Sequence, residues 1–71
     1  MAFTEAQLVA QIDSTGTGKI VNLQTFNPSS ITTDVYAVGV TAPYAGKSRW
    51  VQILNSRTAA QAWSDIQAAL A

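Results

Sequence analysis

The sequence predicts an α+β fold: a two-layer sandwich in the order α-β-β-β-α, with a three-stranded antiparallel meander sheet and both helices on one face. Apolar residues recur at helical spacing near both ends of the chain, and they alternate with polar residues in between. The segments between the alternating runs are as short as hairpin turns, so consecutive strands pair. Two amphipathic helices need an apolar sheet face to cover. We therefore expect residues 1–71 to form a single small domain.

The first helix is predicted over residues 4–14. Two start signals agree, a capping box and a hydrophobic staple, formed by Thr4 with Gln7 and by Phe3 with Leu8. An apolar stripe continues through Val9 and Ile12. Gly16 then provides a C-cap that ends the helix.

The segment after this helix, STGTGKI, has some likeness to a phosphate-binding loop. Such a loop needs a Gly that four residues separate from Gly-Lys, and a Ser or Thr directly after that pair. This chain has Asp13 and Ile20 at those two places. We interpret the segment as a turn between helix and strand, and we expect no cofactor.

Three strands are predicted at residues 19–26, 31–41 and 47–55. The connection 27–30 reads Asn-Pro-Ser-Ser, a sequence typical of a type I turn, and 42–46 makes the next turn. In the second strand, one side carries Tyr36, Val38 and Val40, and this side is predicted to face the helices.

The second helix is predicted over residues 57–70. Thr58 and Gln61 offer a second capping box, although Asn55 or Ser56 has the right side chain for the cap as well. The apolar residues of both helices and of one sheet face make up the predicted core, which consists of Leu8, Ile12, Val21, Leu23, Tyr36, Val38, Val40, Val51, Ile53, Trp63, Ile66 and Leu70.

The other face of the predicted sheet is too apolar to remain in water. Apolar patches of more than a few hundred Å² mark interfaces, and a second copy or a larger partner would cover this one. The predicted anchors of the interface are Ile20, Phe26, Val35, Trp50 and Leu54. Alternatively, Phe26 and Trp50 fold over the sheet edge and the protein is monomeric.

The composition of the chain disfavours several classes of function. The chain has no Cys and no His, and its four basic and four acidic residues give zero net charge. No general base, zinc-binding thiolate or paired carboxylates are evident, so we expect neither an enzyme nor a metal site. The charge balance favours neither nucleic acid nor membranes as partners. With no apparent signal peptide or membrane span, we expect the protein in the cytoplasm or in a virion.

The element order resembles that of double-stranded RNA-binding domains over nearly the whole chain. That family has a Gly-Pro-x-His turn where this chain has Asn27-Pro28-Ser29-Ser30, and a Lys cluster where this chain has only Arg57. The resemblance supports one alternative hypothesis, a small nucleic-acid-binding module with contacts at Lys47, Arg49 and Arg57.

The preferred hypothesis is a non-enzymatic structural or interaction protein. It acts as a homo-oligomer or as an accessory subunit of a larger assembly. A small chain rich in Ala, Thr, Ser and Gln is similar in composition to the cement, decoration and joint proteins of bacteriophage particles. A further alternative is a small phage-encoded inhibitor or regulator of a host protein that uses the same sheet face.

Overall fold

A computed structural model of the protein describes residues 3–14 and 20–71. Its elements are α1 (Glu5–Ser14), β1 (Val21–Pro28), β2 (Thr32–Gly39), β3 (Ser48–Leu54) and α2 (Ala59–Leu70). The strands form one three-stranded antiparallel sheet in the order β1-β2-β3. The predicted fold class and element order are confirmed. The predicted C-cap at Gly16 and the predicted strand start at Lys19 lie outside the described residues.

Both helices begin at a capping box. The amide of Gln7 donates to Thr4 Oγ1 over 3.1 Å, and the amide of Thr4 donates to Gln7 Oε1 over 2.9 Å. Thr58 and Gln61 form the same reciprocal pair at 3.2 and 3.0 Å. Thr58 is therefore the N-cap of α2, in place of the two upstream candidates. Each pair satisfies two amides that a helix start would otherwise leave without partners.

The core lies between the two helices and one face of the sheet. Phe3 and Leu8 are fully buried there, as expected for a hydrophobic staple. On α2, the face that packs inward is apolar through its whole length, which explains why a short helix holds its place. The buried apolar residues are Phe3, Leu8, Ile12, Val21, Val35, Ala37, Val51, Ile53, Ala62, Trp63, Ile66 and Leu70.

The prediction for the inward face of β2 was wrong. Tyr36, Val38 and Val40 were expected in the core, but the core takes Val35 and Ala37, both with no exposed surface. The three expected residues lie on the other set of alternating positions, where two are half-buried and Val40 is exposed. The predicted inward and outward sets of β2 are thus exchanged along the whole strand, since successive side chains point to opposite faces of the sheet.

The close approach of the β2–β3 loop accounts for this orientation. A Cβ built on Gly39 would lie only 1.9 Å from the carbonyl oxygen of Tyr44. Tyr44 itself packs against the core. The loop can sit so close only where the sheet presents a residue without a side chain. The set of smaller residues that includes Gly39 therefore faces inward.

A β-bulge in β1 changes which of the later residues of the strand face the helices. The register with β2 shifts between Leu23 and Thr25. Beyond the bulge Phe26 pairs with Val35, and its ring meets that of Phe3 edge to face, with centroids 6.1 Å apart. Phe26 therefore lies on the helix side of the sheet, whereas uninterrupted alternation had predicted it on the other side.

Asn55 ties the turn between β1 and β2 to the end of β3. Its side-chain amide donates to the carbonyl oxygen of Ser29 over 2.7 Å, and its Oδ1 accepts from the hydroxyl of Thr33 over 2.6 Å. Thr33 has no exposed surface. A buried hydroxyl needs such a partner, because an unsatisfied one costs about 1–3 kcal/mol.

Candidate interaction surface

The sheet face opposite the helices, called here the open face, is not covered by any described element. It presents the even-numbered positions of β2 and β3. Trp50 and Leu54 stand out on it, with 59% and 53% of their surfaces exposed. Tyr36, directly opposite Trp50, and Val38, the next outward residue along β2, are half-buried. An apolar patch is formed by Tyr36, Val38 and Trp50, whereas Leu54 lies apart from it, opposite Thr32 and beyond the Asp34 and Gln52 pair.

Cross-strand pairing orders this patch. Tyr36 and Trp50 are direct partners in the β2–β3 register, and their rings lie 5.2 Å apart at an interplanar angle of 52°. The Tyr36 hydroxyl donates to Ser48 Oγ over 2.9 Å. Because the phenol is held at both ring and hydroxyl, the patch is a largely pre-formed surface, which reduces the entropy lost when a partner binds.

Only two of the five predicted interface residues are exposed on the open face. Trp50 and Leu54 are exposed there, as the prediction requires. Val35 is fully buried in the core, and Phe26 and Ile20 pack against that core. These three were placed on the open face wrongly. The exchanged faces of β2 explain the position of Val35, and the bulge in β1 explains that of Phe26. Ile20 lies before the start of β1, so the alternation of that strand does not apply to it.

Two residues of the patch were missed at the sequence level. Tyr36 and Val38 belong to a strand in which both alternating sets are largely apolar, so periodicity could not place them outward. One available signal was Gly39, since a strand glycine often marks a site where another backbone approaches closely. That signal would have placed the odd-numbered set of β2 beneath the loop.

The rest of the open face is polar and nearly uncharged. Asp34 lies opposite Gln52, between the Tyr36 and Trp50 pair and the Thr32 and Leu54 pair. On β1, the residues paired with outward positions of β2 are Asn22, Thr25 and Asn27. No Lys or Arg stands among the described open-face positions. An apolar patch bordered by polar, weakly charged positions has a composition typical of protein–protein interfaces.

The three cations proposed for nucleic-acid contact are not brought together. Lys47 and Arg49 lie at the start of β3, and Arg57 follows its end. The end of β3 that Arg57 follows is about 23 Å from Lys47 and about 17 Å from Arg49. Arg57 is also engaged by Asp65, to which its Nε and Nη2 donate over 3.1 and 2.9 Å.

The remaining acidic residues are also dispersed. Glu5 and Asp13 lie at opposite ends of α1, and Asp34 is on β2. Within residues 3–14 and 20–71, no group of three or more potential metal ligands is found. In that same part of the chain, no helix has the length and apolar character needed to cross a membrane.

Comparisons with protein-family models, with curated proteins and with solved structures return no match for this chain.

Proposed function

We propose that the protein is a non-enzymatic structural or interaction protein that binds protein surfaces through its open face. It works as a homo-oligomer or as an accessory subunit of a larger assembly, such as a bacteriophage particle. The exposure of Trp50, next to the half-buried Tyr36 and Val38 on the uncovered face of the sheet, is the observation that carries this proposal.

The free energy available at Trp50 is large enough to matter for binding. A buried Trp removes up to about 250 Å² from water, and 59% of its surface is exposed in this chain. Covering the exposed part would contribute up to about 4 kcal/mol at about 25 cal/mol per Å². Aromatic anchors of this kind dominate the energy of many interfaces.

Charge supports a protein partner over the other candidates. The open face carries Asp34 and no described cation, so it has no attraction for phosphates. Among the described cations, Lys47 and Arg57 lie at opposite ends of β3 and so do not form one basic cluster.

Sedimentation of the wild-type chain over a wide concentration range tests the proposal. We expect reversible association, with Trp50→Ser raising its Kd about 30-fold or more, which corresponds to an anchor of about 2 kcal/mol. Val9→Ser is the matched control, because Val9 is 41% exposed on α1, outside the open face. It should leave the Kd unchanged.

Acrylamide quenching provides a second readout on the same samples. Trp63 is only 3% exposed, so quenching reports on Trp50. The quenched fraction should fall as the protein associates. A monomer whose Trp50 stays fully quenched at every concentration, or equal effects of the two serine variants, would contradict the proposal.

A further inference from the structure

We infer that two copies of this chain pair through their β3 edges, antiparallel, to form one continuous sheet. This inference deepens the proposed function, on which it rests, by naming the unit that presents the open face. It draws on the hydrogen-bonding pattern of the sheet, the contrast between its two edges, and the size of the face.

The outward hydrogen-bonding groups of β3 follow from its pairing with β2. The amide of Gly39 donates to the Lys47 carbonyl oxygen, and the amide of Asn55 donates to that of Ile31, both over 2.8 Å. Odd-numbered residues of β3 therefore direct their N–H and C=O groups toward β2. In an antiparallel ladder the alternate residues direct theirs away, and on β3 these are Ser48, Trp50, Gln52 and Leu54.

The outer edge of β1 is unsuited to pairing. Its register is broken by the bulge between Leu23 and Thr25. Pro28, opposite Thr33, has no N–H to offer at the end of the strand. Bulges and prolines are devices by which edge strands avoid pairing with other chains.

The outer edge of β3 has neither a bulge nor a proline, and Arg49 is its single charged residue. It contains no proline and its register with β2 is regular from Ser48 to Leu54. Within the described residues, no further strand lies beyond it. Its exposed residues include every even-numbered one, so the edge is accessible to another strand.

One register suits two copies of β3. A two-fold axis at Val51 overlaps the strands fully, setting Trp50 opposite Gln52 of the second copy and Ser48 opposite its Leu54. The outward groups then make about six hydrogen bonds, because the carbonyl oxygen of Leu54 already accepts from the amide of Arg57 over 3.0 Å. Arg49 lies about 14 Å from its counterpart in this register, beyond the screening length of about 10 Å at 0.1 M salt.

The size of the open face also favours a paired unit. Three strands of this length span about 14 by 25 Å, or about 350 Å² in plan. Stable protein interfaces bury about 800 Å² per partner. Edge pairing doubles the face to about 700 Å², and it brings both copies of Trp50 to the centre of a single surface.

Substitution at Gln52 tests the edge directly. Gln52→Pro removes an outward N–H without breaking the β2–β3 ladder, and the two-fold axis makes this loss count twice. We expect the dimer Kd to rise by at least about tenfold. Gln52→Thr, which keeps the N–H, is the control and should dimerise as the wild type does. Circular dichroism verifies that both variants are folded.

Disulfide formation tests the register independently of the Gln52→Pro variant. The chain has no Cys, so Ser48→Cys and Leu54→Cys variants can be mixed. Directly opposed residues of a hydrogen-bonded pair lie about 5.5 Å apart between Cα atoms, within reach of a disulfide. The inferred register predicts cross-linking in the mixture and little in either variant alone.

The outcomes separate this inference from the proposed function. If Gln52→Pro dimerises normally and the mixture does not cross-link, while Trp50→Ser is monomeric, the edge inference is wrong. The proposed role of the open face is then supported. If the mixture cross-links but Val38→Ser and Trp50→Ser associate with the same Kd as the wild type, the edge inference holds and the proposed role of the open face is wrong. A wild-type chain that never dimerises overturns the edge inference.

Discussion

The rings of Tyr36 and Trp50 pack against each other across β2 and β3, 5.2 Å apart and tilted by 52°. Neither residue belongs to the core, so their contact builds an aromatic surface on the side of the sheet away from the helices. A sheet usually buries only one face against its own helices, and an aromatic pair on the other is the kind of feature that marks an interface.

We expect this pair to contribute measurably to the free energy of unfolding. A double-mutant cycle with Tyr36→Ala and Trp50→Ala should give a coupling energy of about 0.5–1 kcal/mol, the range for aromatic cross-strand pairs. Urea denaturation at low protein concentration measures it. The Asp34 and Gln52 pair, in the same register, is the control and should show almost no coupling. Additive effects of the two ring deletions would argue against the contact.

Asn55→Ala should lower the free energy of unfolding by about 1–3 kcal/mol. The change removes two side-chain hydrogen bonds, one accepted from the hydroxyl of Thr33 and one donated to the carbonyl oxygen of Ser29, and each contributes about 0.5–1.5 kcal/mol. Denaturation of Asn22→Ala, an exposed residue of β1, gives the baseline. Equal stability of the two variants would show that Asn55 does not hold the turn.

The two glycines around the β2–β3 loop should respond differently to alanine. At Gly39 an added Cβ would meet the Tyr44 carbonyl at 1.9 Å, whereas at Gly46 it would meet nothing within 4 Å. Gly46→Ala costs only the strain of its φ of 83°, about 1 kcal/mol. Gly39→Ala must displace the loop and should cost about 3 kcal/mol or more. Thermal melts of the two variants compare them, and a milder effect at Gly39 would contradict the packing described.

The orientation of β2 can be tested with two valines. Val35 has no exposed surface and Val40 is 43% exposed. Val35→Ala should destabilise the protein by about 2–3 kcal/mol, because it removes two buried methyl groups and leaves a cavity. Val40→Ala should change stability by less than about 0.5 kcal/mol. The reverse order of effects would restore the inward face that periodicity predicted.

The candidate site was only partly predictable from the sequence. Trp50 and Leu54 were placed correctly because β3 alternates cleanly between inward and outward positions. Phe26 was misplaced because a bulge leaves no clear mark in a sequence, and a single extra residue reverses every later side chain. Val35 and Tyr36 exchanged roles because both sides of β2 are rich in apolar residues, so hydrophobic pattern alone does not distinguish them.

By itself the sequence determined where the elements start and what they are. Capping boxes at Thr4 and Thr58, helical stripes and turn residues act over a few neighbouring positions, so they can be identified without knowing the rest of the fold. Only the tertiary structure decided which side of the sheet meets the helices. That choice depends on how volumes fit across the layers, above all on the approach of Tyr44 to Gly39, and such contacts join residues whose packing no local pattern records.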